Sequence, residues 1–212
     1  MRRAWAALAF VLGALAPVSA DAQQTEPTSS ANAQQLIAHA NATGVFEALP
    51  SDQLIVVRHP RSGLICRLAP GNTNRLVIFP QAARGEDVAC DSTDGTESVT
   101  LYATRYSFET NLDELLQGAV AAIRHRFPDA QELPAPTSPS DQPAQRTAHF
   151  MATRPSDGAR LYTRVTVAQV GQWAIKLRYS IVAPDADGAR VGEAAAGAIW
   201  NATFSDLTQA RL

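Results

Sequence analysis

An α+β fold, mainly antiparallel sheet with helices packed on it like an α/β/α sandwich, is what this 212-residue sequence predicts. Three observations carry the prediction. Apolar residues alternate along two neighbouring segments, with Leu161, Val165 and Val167 on one and Trp173, Ile175, Leu177, Tyr179 and Ile181 on the other. Short apolar runs separated by turn residues fill the stretch from 54 to 106, which favours sequential antiparallel pairing. Two stripes at helical spacing, Leu112-Leu115-Leu116-Ala119-Val120-Ile123 and Val191-Ala194-Ala195-Ala198-Ile199, supply helices to cover that sheet.

The chain opens with Arg2 and Arg3, an apolar run from Ala4 to Ala16, and the small residues Val18, Ser19, Ala20 and Ala22. This pattern predicts a secretory signal peptide over 1–22, cleaved after Ala20 or Ala22. The apolar run of about 13 residues is short of the roughly 20 needed to span a bilayer. Export to the periplasm or beyond the cell is the expectation, with no membrane span in the mature chain. Removing 1–22 leaves 16 basic and 19 acidic side chains, a net charge of −3, too balanced to suggest nucleic acid as a partner. The single Lys among many Arg and Ala residues predicts a GC-rich bacterial source. The rest divides into a flexible tail over 23–31 and a single α+β domain over 32–212, with a Pro-rich loop at 128–144.

Within that domain a first helix is predicted over 32–43, with Gly44 as its stop. Strands follow at 54–58, 63–68, 75–79, 88–90 and 97–106, separated by turns such as His59-Pro60-Arg61-Ser62. Asn111 is placed to cap the second helix, Glu114 stands three positions on as in a capping box, and Pro128 ends it. Five prolines between 128 and 143 predict a surface loop. A strand over 145–153, the long hairpin and a last helix from near Asp187 complete the order.

The hairpin register follows from one assumption: that the odd apolar positions of both arms share a buried face. Paired numbers must then sum to an even value. A three-residue loop, Gln169-Val170-Gly171, pairs Val167 with Trp173, Val165 with Ile175, Arg164 with Lys176 and Tyr162 with Arg178; a five-residue loop also meets the parity. Arg164, Lys176 and Arg178 then lie on one polar face. They are expected either to reach water and neighbouring carboxylates, or to form an anion-facing patch for an acidic envelope component or protein.

The segments Val170-Gly171-Gln172-Trp173 and Leu177-Arg178-Tyr179-Ser180, with the closing helix through Trp200 and Phe204, resemble the photosystem II extrinsic subunit P fold group, over roughly Val99 to Leu207. The resemblance implies an α/β/α sandwich and nothing about activity, because that group spans unrelated functions.

Chemistry-bearing motifs are sparse. Cys66 and Cys90 form no C-x-x-C; in an exported chain they predict one disulfide, the alternative being two buried thiols. His39, His59, His125 and His149 stand at no metal-ligand spacing, and no nucleophile elbow, P-loop or dinucleotide fingerprint occurs. No catalytic set, metal or cofactor is therefore expected. The cations of Arg58-His59-Pro60-Arg61 crowd one turn that could take an anion, while Arg124-His125-Arg126 suit a helix C-terminus. The expected function is an exported, non-catalytic binding or accessory domain of the cell envelope. An envelope-assembly component and a hydrolase with dispersed catalytic residues are the alternatives.

Overall fold

The computed structural model describes residues 29–134 and 145–209. The expected signal peptide and most of the Pro-rich loop lie outside the described residues. Those described form an α+β fold of two antiparallel sheets and three helices.

Helix α1 (Ser29–His39) leads into a small sheet of β1 (Glu47–Leu49), β2 (Ile55–His59) and β3 (Leu64–Leu68), in that order. The large sheet uses β4 (Thr73–Ile78), β5 (Asp87–Thr93), β6 (Glu97–Arg105), β7 (Gln131–Glu132), β8 (Gln145–Thr153), β9 (Arg160–Val170) and β10 (Trp173–Val182). Its spatial order is β4-β5-β6-β10-β9-β8-β7, every neighbour antiparallel. Helix α2 (Leu112–Arg126) crosses between β6 and β7, and α3 (Ala186–Gln209) closes the chain. The two very short strands, β1 and β7, were not legible in the sequence, and α1 begins before the predicted start.

The hairpin register departs from the predicted one. Trp173 pairs with Val170, Arg178 with Val165 and Tyr179 with Arg164, so the loop is the two-residue Gly171-Gln172. Gly171 has φ 60° while Gln172 stays at negative φ, the pattern of a type II′ turn, whose first central position suits Gly. The assumption of one buried face is what fails. Odd positions of β9 (Leu161, Val165, Val167) pack with Ile123 and Phe127 of the α2 segment, whereas odd positions of β10 (Ile175, Leu177, Tyr179) join the core that contains α3, α1 and the small sheet. The odd positions of the two arms therefore lie on opposite sides of the sheet, and β9 is buried on both. The predicted like-charge pair does not form: Arg164 stands opposite Tyr179, and Lys176 opposite Val167.

Local signals set the helix ends. The Asn111 side chain accepts a hydrogen bond from Glu114 N at 2.8 Å, and Phe127 caps α2 before Pro128. Asp185 Oδ1 accepts from the amides of Asp187 and Gly188 at 3.1 and 2.9 Å and so starts α3. Gly192 lets α3 lie flat on the sheet, since a Cβ there would stand 2.7 Å from Tyr162 Cδ1 and 2.8 Å from Ile181 Cγ2. The Cys66–Cys90 disulfide, with a Cα–Cα distance of 6.4 Å, ties β3 of the small sheet to β5 of the large one.

Candidate functional site

Both faces of the large sheet carry cover, but unequally. Helix α2 packs on β8 and β9. On the same face, β4, β5, β6 and β10 turn polar side chains outward beside the C-terminal end of α2. A cleft of about 520 Å³ lies there. Four arginines line it, Arg75, Arg126, Arg154 and Arg178, against one carboxylate, Asp91.

The elements deliver these groups in different states. Arg75 on β4 meets Asp91 on β5 at 3.1 Å, and Thr100 on β6 donates to the same carboxylate at 2.7 Å. Arg154, just past β8, is held by Asp157 at 2.9 Å and donates to the Gly95 carbonyl at 2.8 Å. Arg126 comes from the last turn of α2, where a cation is favoured by the helix dipole, and leans over the Phe127 ring. Arg178 lies next to Thr100 in the sheet. Its Nε and Nη2 are buried and have no hydrogen-bond partner among the described residues. Burial, and then the charge of Arg126, push the Arg178 pKa down, against the opposing interactions of the guanidinium with Tyr102 and Asp91; a guanidinium stays protonated at neutral pH. Two cations thus approach one another with neither held by a carboxylate in a described ion pair.

Lys176 stands one step along the same face, its Nζ 4.1 Å from the Tyr102 ring centroid, and the Phe79 ring stacks with Tyr102 at 6.3 Å between centroids. Burial lowers the Lys176 pKa, and the Asp87 carboxylate opposes that shift. The structure therefore brings Lys176 and Arg178 to one face, as expected, but not Arg164. Arg164 points the other way, beneath α3, where its Nε donates to Thr166 Oγ1 at 3.0 Å and its Nη1 to the Glu193 carbonyl at 3.4 Å. The reason is the odd-sum register: even positions of β9 and β10 lie on opposite faces.

Other sequence candidates resolve into structural roles. Arg58 pairs with Glu47, and Arg61 with Glu86 at 2.9 Å, so the cations of the His59 turn are already matched. His59 Nδ1 is 2.8 Å from Ser62 Oγ, but both residues are buried and Ser62 Oγ accepts from Leu64 N, which makes the pair a turn clasp. The Asp94 carboxylate accepts from the amides of Thr96 and Glu97 at 2.8 and 2.7 Å and so closes the β5–β6 turn. A smaller, largely apolar cavity of about 330 Å³ lies between β3, β5, β6 and α3, and Arg67 beside it is paired with Asp206.

Arg75 and Arg154 were not singled out in the sequence, and Arg126 was read only as a helix C-terminal cation. They come from three separated segments, and only the sheet order brings them to Arg178. No protein-family model and no curated protein matches this chain.

Proposed function

We propose that this chain is an exported, non-catalytic binding domain of the cell envelope that captures an anionic group of its partner in the cleft beside the end of α2. The observation that carries the reading is the Arg178 guanidinium, with two nitrogens buried and unpartnered and Arg126 as its neighbour. Leaving a buried donor unsatisfied costs about 1–3 kcal/mol, and an anion seated between the two arginines relieves both that penalty and their mutual repulsion. Export is supported by the Arg2-Arg3 leader with its apolar run and by the Cys66–Cys90 bond, a linkage that persists in oxidising compartments. The likeness to the photosystem II extrinsic subunit P group is a proposal about fold, supported by the order strands, helix, strands, closing helix.

Calorimetric titration with inorganic tripolyphosphate tests the anion site. Binding that weakens about tenfold in Arg126→Ala, an exposed position, and that falls with added salt is the expected result. Arg178→Met is the second variant, with thermal melts to monitor folding. Equal affinity in the wild type and Arg126→Ala, or no measurable binding to the wild type, removes the reading.

A further inference from the structure

The arginine cleft is one end of a longer surface. At the other end of β6, the chain leaving the strand exposes Tyr106 and Phe108, which are 39% and 66% accessible. These are two of the three exposed large hydrophobic residues among those described, and their ring centroids lie 5.4 Å apart. They line a shallow cleft of about 570 Å³ together with Gln169, from the end of β9, and Gln172, from the hairpin turn; Arg105 there is paired with Glu86, and Glu109 also borders the cleft, so this end suits a neutral group rather than an anion. Exposed aromatic rings beside exposed amides are unusual as packing and useful for binding. A ring face with its negative quadrupole takes up polarised C–H groups, and an amide offers donors and an acceptor to neighbouring hydroxyls.

Tyr102, which lines the arginine cleft, and its sheet partner Lys176 lie on the side of that cleft toward Tyr106. From Thr100, in the arginine cleft, to Tyr106 is six strand steps, about 20 Å at roughly 3.3 Å per residue. A ligand that used both ends would be extended. It would carry an anion at one end, and an apolar face rimmed by hydroxyls at the other.

We propose that the anionic ligand is an acidic oligosaccharide, laid along β6 with an acid group between Arg126 and Arg178 and a neutral ring face on Tyr106 and Phe108. This rests on the anion-binding reading above and adds the ligand class to it. The observations favour a glycan over the other extended anions. The surface is a sheet face rather than an edge, so an extended peptide would find no unpaired strand to add to. Carboxylates interrupt the cations along the path, Asp91 bonded to Arg75 and Asp87 bonded to Thr104, so a polymer with a phosphate at every unit would meet repulsion as well as attraction. A sugar acid chain with spaced charges and intervening hydroxyls suits that alternation.

The experiment is titration of the mature protein with a short hyaluronan oligosaccharide, in which an acid sugar alternates with a neutral one, in parallel with inorganic tripolyphosphate, a neutral malto-oligosaccharide, a short oligothymidylate and vesicles containing anionic lipid. The expected result is that the hyaluronan oligosaccharide binds tighter than any of the others. Phe108→Ala and Tyr106→Ala, both at exposed positions, should each weaken the hyaluronan oligosaccharide about five- to tenfold and leave tripolyphosphate unchanged, while Arg126→Ala weakens both. Hyaluronan affinity untouched by the two aromatic variants overturns the glycan assignment, and so does tighter binding of the oligothymidylate or the vesicles. In those cases the arginine cleft still stands if Arg126→Ala weakens tripolyphosphate; if that variant also has no effect, the anion-binding reading falls with it.

Discussion

His59 gives this protein a pH dependence that can be worked from its surroundings. The side chain is fully buried, with the rings of Phe46 and Trp173 centred 5.5 and 5.3 Å away and Ser62 Oγ at 2.8 Å from Nδ1. Burial, and then the charge of Arg61, lower its pKa from 6.5 to about 4. The native state therefore holds a neutral imidazole where the unfolded chain would bind a proton. Stability from this group is present above pH 6.5, is lost as the pH falls toward 4, and changes no further below that. At 1.36 kcal/mol per pKa unit the full shift corresponds to about 3 kcal/mol, of which about 2 kcal/mol is lost between pH 7 and pH 5. The perturbation is His59→Phe, which keeps a ring between Phe46 and Trp173 but cannot take up a proton. Urea unfolding of both proteins at pH 7 and pH 5 isolates the term, because carboxylate contributions are common to the two. The wild type should lose about 2 kcal/mol more than the variant on going to pH 5. Parallel losses would refute the argument, whatever the variant's stability at pH 7.

Two further outcomes rest on the fold and one on the sequence of the first residues. Reduction of the disulfide, or Cys66→Ala with Cys90→Ala, should lower stability by about 3.5 kcal/mol, the chain-entropy value for a closed loop of about 25 residues, read from denaturant midpoints with and without reductant. Gly192→Ala should destabilise by about 1–3 kcal/mol, because its Cβ meets Tyr162 and Ile181, whereas Gly118→Ala on α2 meets nothing within 4 Å and should stabilise by about 0.5–1 kcal/mol; thermal melts of the two give opposite signs. Intact-mass measurement on protein from the envelope fraction should find a chain that begins at Asp21 or Gln23, and a mass that still includes residues 1–20 would contradict export with cleavage.

The sequence disclosed elements better than it disclosed their pairing. The strand over 145–153, the cap at Asn111 and the stop at Pro128 rest on local chemistry, and all three stand where that chemistry put them. The hairpin register rests on a tertiary fact, which face of each strand is covered. Residues 161–168 are buried on both sides, so alternation in β9 alone could not say which side its odd positions share with β10. Gly171 takes positive φ, and a glycine that does so fits a two-residue or a three-residue loop equally. The site shows the same division. Arg164, Lys176 and Arg178 were grouped by the even-sum register; Lys176 and Arg178 share a face because they alternate on one strand, whereas Arg164 lies on the other face. Nothing local marks Arg75 or Arg154 as neighbours of Arg178; their meeting depends on strands far apart in the chain.

Why the open surface lies where it does is a matter of dimensions. A helix with its side chains is about 10–12 Å across, and strands are spaced about 4.8 Å apart, so one helix covers about two strands. Helix α2 is the only described helix on its face of a seven-stranded sheet, and it covers β8 and β9. The opposite face escapes this limit because α3, α1 and the small sheet share it, with the disulfide holding the small sheet against β5. The strands left uncovered beside α2 must therefore present polar groups, and Arg75, Asp91, Thr100, Lys176 and Arg178 are those groups. Arg126 joins them from the helix end, at a position that the dipole already favours for a cation. Its local role, completing the C-terminus of α2, and its second role, facing Arg178, are satisfied by the same side chain. That is why the sequence alone accounts for Arg126 fully and still leaves its neighbour out of view.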